Sequence, residues 1–169
     1  TEAALSLNAD VDVVKVYSNP DHDLFVFDTT TDQPVDVVDT VGTLLYGLTV
    51  STDGQVFVAQ TDARNGENGR ASIGDNLFEL ENRPFLNEIT VIDCSGSECE
   101  KPFVYDYEPF PPVMPQPGEA IATPYAIAIS DNNKTVVTTA AGSGVVFTID
   151  AESGIMLGRT QVGFGPRGI

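Results

Sequence analysis

One hairpin is written twice in this chain. Tyr46-Gly-Leu-Thr-Val-Ser-Thr-Asp-Gly-Gln-Val-Phe-Val-Ala-Gln-Thr61 and Tyr125-Ala-Ile-Ala-Ile-Ser-Asp-Asn-Asn-Lys-Thr-Val-Val-Thr-Thr-Ala140 share an aromatic start, an alternating apolar stretch ending in Ser, a polar turn and a second apolar stretch. A second unit occurs three times, as Leu24-Phe-Val-Phe-Asp28, Ile89-Thr-Val-Ile-Asp93 and Val146-Phe-Thr-Ile-Asp150, each followed by a turn and another strand-like stretch. Aspartate suits the end of such a strand, because its carboxylate accepts from backbone N–H groups about two residues on. A fixed repeat has to be settled before any motif is trusted, since it dictates which elements stack on which.

The apolar bursts are short, rich in Val, Ile, Phe and Thr, and bounded by Asp, Asn, Gly and Pro, which predicts an all-β chain. Strands are expected over 11–17, 24–28, 34–40, 47–51, 56–61, 88–93, 102–106, 125–130, 135–140, 145–150 and 155–162, with one short helical turn over 76–82. Four hairpin-linked strands per repeat describe the twisted antiparallel blade that β-propellers stack around an axis. On that reading residues 1–45 hold the second to fourth strands of a blade, and 46–107 a complete blade with a long insertion at 62–87. A Pro-rich connector follows over 108–124, a second complete blade over 125–163, and the opening of another over 164–169. Val41-Gly42 and Val162-Gly163 mark corresponding blade ends and set Gly47 against Gly168. The expectation is therefore a propeller segment of two to three blades with an incomplete ring, whose remaining blades come from further residues or another chain. Loops longer than about 12–15 residues in a compact domain are usually functional or disordered, so the two insertions are where a site is sought.

The charge narrows the partners. With 25 acidic against 8 basic residues the formal charge is −17, which repels phosphate backbones and argues against nucleic acid. No apolar run approaches the roughly 20 residues of a spanning helix, so membrane insertion is not expected. Cys94 and Cys99, five positions apart around Gly96, are expected to form a small-loop disulfide. The alternatives are a thiolate metal site, which needs two more soft ligands, or two free thiols. A disulfide places the chain in an oxidising, extracytoplasmic compartment: periplasm, cell surface or medium.

Thr123-Pro-Tyr-Ala-Ile127, Ser130-Asp-Asn-Asn133, Val146-Phe-Thr-Ile-Asp150 and Gly163-Phe-Gly-Pro-Arg-Gly-Ile169 resemble the recurring elements of YVTN-type β-propellers, the seven-bladed surface-layer and lactonase-like family. Asp62-Ala-Arg-Asn65, the stretch from Glu79 to Thr90 and the close cysteine pair are similar to exported bacterial propellers fused to c-type cytochrome domains. The sequence has no Cys-x-x-Cys-His, so the resemblance implies haem only on a domain outside this segment.

No catalytic centre is legible. The single histidine, His22, sits in Asn19-Pro-Asp-His-Asp23 with no strained serine turn beside it and reads as a turn residue. The pairs Glu79/Glu81 and Asp21/Asp23 carry no weight in a chain this acidic. Calcium is the one cofactor the residues suggest: Asp62, Asn65, Glu67 and Asp75 put hard oxygen ligands on the long insertion, without EF-hand spacing. Arg64, Arg70 and Arg83 lie in that insertion and would pair with its carboxylates or with an anionic ligand. The connector, with Phe110 between prolines, has the composition of a segment that docks on a protein partner or packs across its own domain. Three functions are compatible with this inventory. They are a non-catalytic scaffold or interaction segment of an exported bacterial protein, the propeller of a haem oxidoreductase, and a lactonase-like hydrolase using metal-bound water.

Overall fold

The structure, a computed structural model, describes residues 22–64 and 83–169. Among the described residues it contains ten strands and no helix. They are β1 (Leu24–Asp28), β2 (Gln33–Val38), β3 (Leu44–Val50), β4 (Gln55–Ala63), β5 (Phe85–Asp93), β6 (Phe103–Asp106), β7 (Pro124–Ile129), β8 (Thr135–Ala140), β9 (Val145–Asp150) and β10 (Met156–Gln161). The expected strand at 11–17 and the turn at 76–82 lie outside the described residues.

The strands form three antiparallel sheets: β1-β2, β3-β4-β5-β6 and β7-β8-β9-β10. We number them blades 1 to 3. Sequential order within each sheet follows from the turns. The Ser51 and Ser130 carbonyls accept the N–H groups of Gly54 and Asn133, and these two donors, both with left-handed backbone (φ 92° at Gly54, 56° at Asn133), stand where the repeat places Gly or Asn. Asp28, Asp93 and Asp150 close the next turns, accepting from the N–H groups of Thr30 and Thr31, of Ser95, and of Ser153.

The core lies between blades. Phe57, Ala59 and Ile89 on one face of blade 2 pack with Ile121, Val136, Ala140, Val145, Phe147 and Ile149 of blade 3 and its approach. Val56, Val58 and Ile92, on the alternate positions, pack with Val38 and Val41 beside blade 1. Blade 2 is therefore covered on both sides, and β4 is buried almost without alternation, whereas β9 of blade 3 alternates buried and half-buried residues. The first strands of blades 2 and 3 approach closely: a Cβ at Gly47 would lie 2.5 Å from the Tyr125 carbonyl oxygen. Tyr46 stacks on Tyr125 with ring centroids 5.2 Å apart, and the Arg167 guanidinium lies 5.3 Å from the Tyr125 centroid. Tyr46, Tyr125 and Arg167 occupy matching positions of successive repeats.

Two details differ from the sequence reading. The β4-β5 ladder continues through Asp62↔Leu86 and Ala63↔Phe85, so paired strand runs into the stretch read as insertion at 62–87. The Ser130 turn holds one residue more than the Ser51 turn, since Ser130 N–H bonds Thr135 O while Ser51 N–H bonds Gln55 O. Strand register consequently pairs Ala140 with Val145 where blade 2 pairs Gln60 with Glu88, a one-residue slip from the linear match of Thr61 to Ala140.

Candidate functional site

Both departures from the tight repeat meet at one end of blade 2. Arg83, the first described residue after 64, forms a salt bridge of 2.8 Å with Glu108, with side chains only 8% and 5% exposed. Its Nη1 also donates to the carbonyls of Pro109 and Val113. Glu108 accepts from Asn87 Nδ2 (3.1 Å) and from the Ile121 N–H (2.8 Å), while Asn87 Oδ1 takes the Thr123 N–H. The pair thus satisfies both ends of the connector as well as itself, which is how a buried charge is tolerated. Arg64 donates to the Arg83 carbonyl and lies 5.7 Å from the centroid of Phe110. Arg64 and Arg83 act structurally here; Arg70, Glu79 and Glu81 lie outside the described residues.

Beside the clamp is a cavity of about 510 Å³ between blades 1 and 2. One wall is the strap from Thr40 to Thr43. Asp23 Oδ2 holds it by accepting the Val41 and Gly42 N–H groups (2.7 and 3.4 Å). Gln60, Glu88, Asp62, Ala63 and Val104 complete the lining, with Gly42 of the strap packed directly on the Gln60 side-chain amide. Gln60 Nε2 donates to Glu88 Oε2 (2.7 Å) and Thr90 Oγ1 (3.2 Å), and the Thr90 hydroxyl donates to the Val41 carbonyl (3.0 Å). Gln60 Oε1 is buried against Gly42 and has no hydrogen-bond partner among the described residues. Burial raises the Glu88 pKa to about 7, helped by the nearby carboxylates of Asp106 and Asp62. Asp106 is the cross-strand partner of Glu88 on β6.

The residues proposed from sequence are distributed as follows. Asp62 lies on β4 and accepts the Thr43 hydroxyl at 2.7 Å; Asn65, Glu67 and Asp75 lie outside the described residues, as does Asp21. Among the described residues no three His, Cys, Asp or Glu side chains are placed to hold a metal ion. Cys94 and Cys99 form a disulfide with Cα atoms 4.1 Å apart, packed against the blade 1–blade 2 core, and the Cys99 N–H bonds Asp36 of β2 at 2.7 Å. His22 is exposed and bonds Asp39 at 2.7 Å. Glu88, Gln60 and Asp106 were not singled out from sequence. Only Glu88 carried a signal, because matching Ile89–Asp93 to Val146–Asp150 sets it against the buried Val145; Gln60 matches Thr139 until the structure shifts the register by one residue.

No family model matches the sequence, and no curated protein matches it. Solved structures do. The hydrazine synthase of Kuenenia stuttgartiensis superposes with a TM-score of 0.66 at 13% identity, over 85% of this chain and 44% of that one. The chain is a segment of a β-propeller. At this identity the likeness concerns the fold alone, and this chain spans less than half the length of that neighbour. A second match, the Cps50 (Swd1) beta-propeller domain of Myceliophteria thermophila, has a TM-score of 0.36 and 10% identity over 85% of this chain and 51% of that one.

Proposed function

We propose that this propeller segment is a non-catalytic scaffold of an exported protein, and that the end of the blades carrying both insertions is its interaction platform. The Arg83–Glu108 clamp carries this reading. It ties the start of β5 to the connector, and so presents Phe110 (64% exposed), Val113 (58%) and Met114 (52%) on a fixed backbone. Apolar side chains ordered before contact lose less conformational entropy on binding, which favours recognition. Export is supported by the Cys94–Cys99 disulfide, since such bonds persist in oxidising compartments. Membership of the YVTN-type family belongs to the same reading, with any haem on a domain outside residues 1–169 and any calcium on the oxygen ligands expected from Asp62 to Asp75.

A photo-cross-linking amino acid at Met114, in the protein expressed in its native cell, tests the platform. The expected result is a discrete protein adduct that is missing when the probe stands at Glu152, an exposed position in the β9–β10 turn. No adduct at Met114, or the same adducts at both positions, rejects the platform. Alkylation trapping tests export separately: Cys94 and Cys99 recovered reduced from the cytoplasmic fraction would count against it.

A further inference from the structure

The turn between β7 and β8 departs from the repeat by one residue, and the longer turn carries an acceptor that blade 2 lacks. Blade 2 reads Ser51-Thr-Asp-Gly-Gln55, while blade 3 reads Ser130-Asp-Asn-Asn-Lys-Thr135. Within it Asn133-Lys134-Thr135 is the Asn-x-Thr pattern of an N-glycosylation acceptor, with x other than proline. No other asparagine of the sequence has Ser or Thr two positions on. The pattern carries weight only on a surface turn, and the fold supplies one: Asp131, Asn132 and Lys134 are exposed and Asn133 is half-buried. Thr135 joins the turn through its backbone. Its N–H donates to Ser130 Oγ at 3.0 Å and its carbonyl accepts the Ser130 N–H at 2.9 Å, so the hydroxyl is not used to close the hairpin. The Asn133 side chain bonds Thr52 of blade 2 in a solvent-exposed contact, Oδ1 accepting the Thr52 N–H at 3.3 Å and Nδ2 donating to Thr52 Oγ1.

We propose that Asn133 is N-glycosylated by an oligosaccharyltransferase on export, an inference that rests on the export reading above. The donor is an oligosaccharide carried on a polyprenyl diphosphate. Asn133 Nδ2 attacks C1 of the first sugar, and the Nδ2–C1 bond forms as the C1–O bond to the diphosphate breaks. Polyprenyl diphosphate leaves with the electron pair, one Nδ2 proton passes to a base of the transferase, and nothing is oxidised or reduced. The product nitrogen keeps one N–H, which suffices for the bond to Thr52, so the glycan is compatible with the contact between blades 2 and 3. The connector enters β7 at Pro124 and the Ser130 turn leaves it after Ile129, at opposite ends of the strand. A bulky, solubilising glycan on this turn therefore leaves Phe110, Val113 and Met114 open to a partner.

The test is mass spectrometry of the whole protein recovered from the exported fraction of its native cell, cut so that residues 131–135 stay in one peptide. The expected result is an oligosaccharide mass increment on Asn133, with sugar fragment ions. It should be lost in Asn133→Gln and in Thr135→Ala, which leaves the asparagine in place, and kept in Thr135→Ser, because the acceptor needs the hydroxyl and not the methyl. Asn132→Gln, on the exposed neighbour, should keep it as well. Thermal unfolding of each variant separates a lost glycan from a lost fold. Unmodified Asn133 in exported protein whose Cys94 and Cys99 are oxidised, or an increment that survives Thr135→Ala, overturns the proposal. Protein found only in the cytoplasm with both cysteines reduced removes the export reading, and this inference with it.

Discussion

Glu88 ties the cavity to the stability of the fold. Its carboxyl is raised from 4.5 to about 7, mainly by burial and then by Asp106 and Asp62, so the folded state holds a proton that the unfolded chain has released. Between those two values folding takes up protons, and stability falls as pH rises. Urea unfolding followed from pH 4.5 to 8 should show this decline, and Glu88→Gln should flatten it and be the more stable protein at pH 8. Asp28, Asp93 and Asp150 act in the opposite sense. Turn N–H groups, from Thr31 and Thr30 at Asp28 and from Ser153 at Asp150, hold their carboxyls below the ordinary value, and the Ser95 hydroxyl and N–H do so at Asp93. Their contribution is present above the ordinary carboxylate range and fades as acid protonates them. Gly54 illustrates a purely steric requirement: its φ is 92°, and a Cβ there would lie 2.9 Å from the Cα of Ser95. Gly54→Ala should cost at least about 1–2 kcal/mol, read as a lower unfolding midpoint at unchanged slope.

At the scale of elements, the connector from Glu108 to Thr123 is organised by one ion pair and not by regular structure. Removing one member leaves the other charge buried, so Arg83→Met or Glu108→Gln should each destabilise by roughly 3 kcal/mol. The paired change Arg83→Met with Glu108→Gln should cost less than the two single losses added together, which a double-mutant cycle in urea would measure. The strands themselves were legible from local pattern, because β-branched and aromatic alternation bounded by Asp, Asn and Gly needs no tertiary information. The boundaries 24–28, 135–140 and 145–150 were read as they stand. The ends of β4 and β5 were not, since Asp62, Ala63 and Phe85 are unremarkable as strand residues until the two chains face each other. Arg83 was expected to pair with acidic neighbours in its own loop; its partner is 25 residues on, and only the fold joins them.

Among the described residues the three sheets pack side by side, and the two outer ones keep apolar side chains exposed. Phe25, Phe27, Val35 and Val37 are exposed on blade 1, and Ile155, Leu157, Val162 and Phe164 beside blade 3. Exposed apolar surface of this kind drives association. The 169-residue chain should therefore self-associate with rising concentration, and Phe27→Ser combined with Leu157→Ser should lower that tendency in sedimentation velocity. By itself the sequence determined the all-β class, the four-stranded repeat, the turn chemistry and the cysteine pair, because each depends on residues close together in the chain. Tertiary structure alone decided that β4 is buried on both faces, that Gln60, Asp62 and Glu88 converge on a cavity, and that Arg83 and Glu108 clamp the connector. Those outcomes depend on which blade covers which face, and strand alternation reports only that a face is buried, not what lies against it.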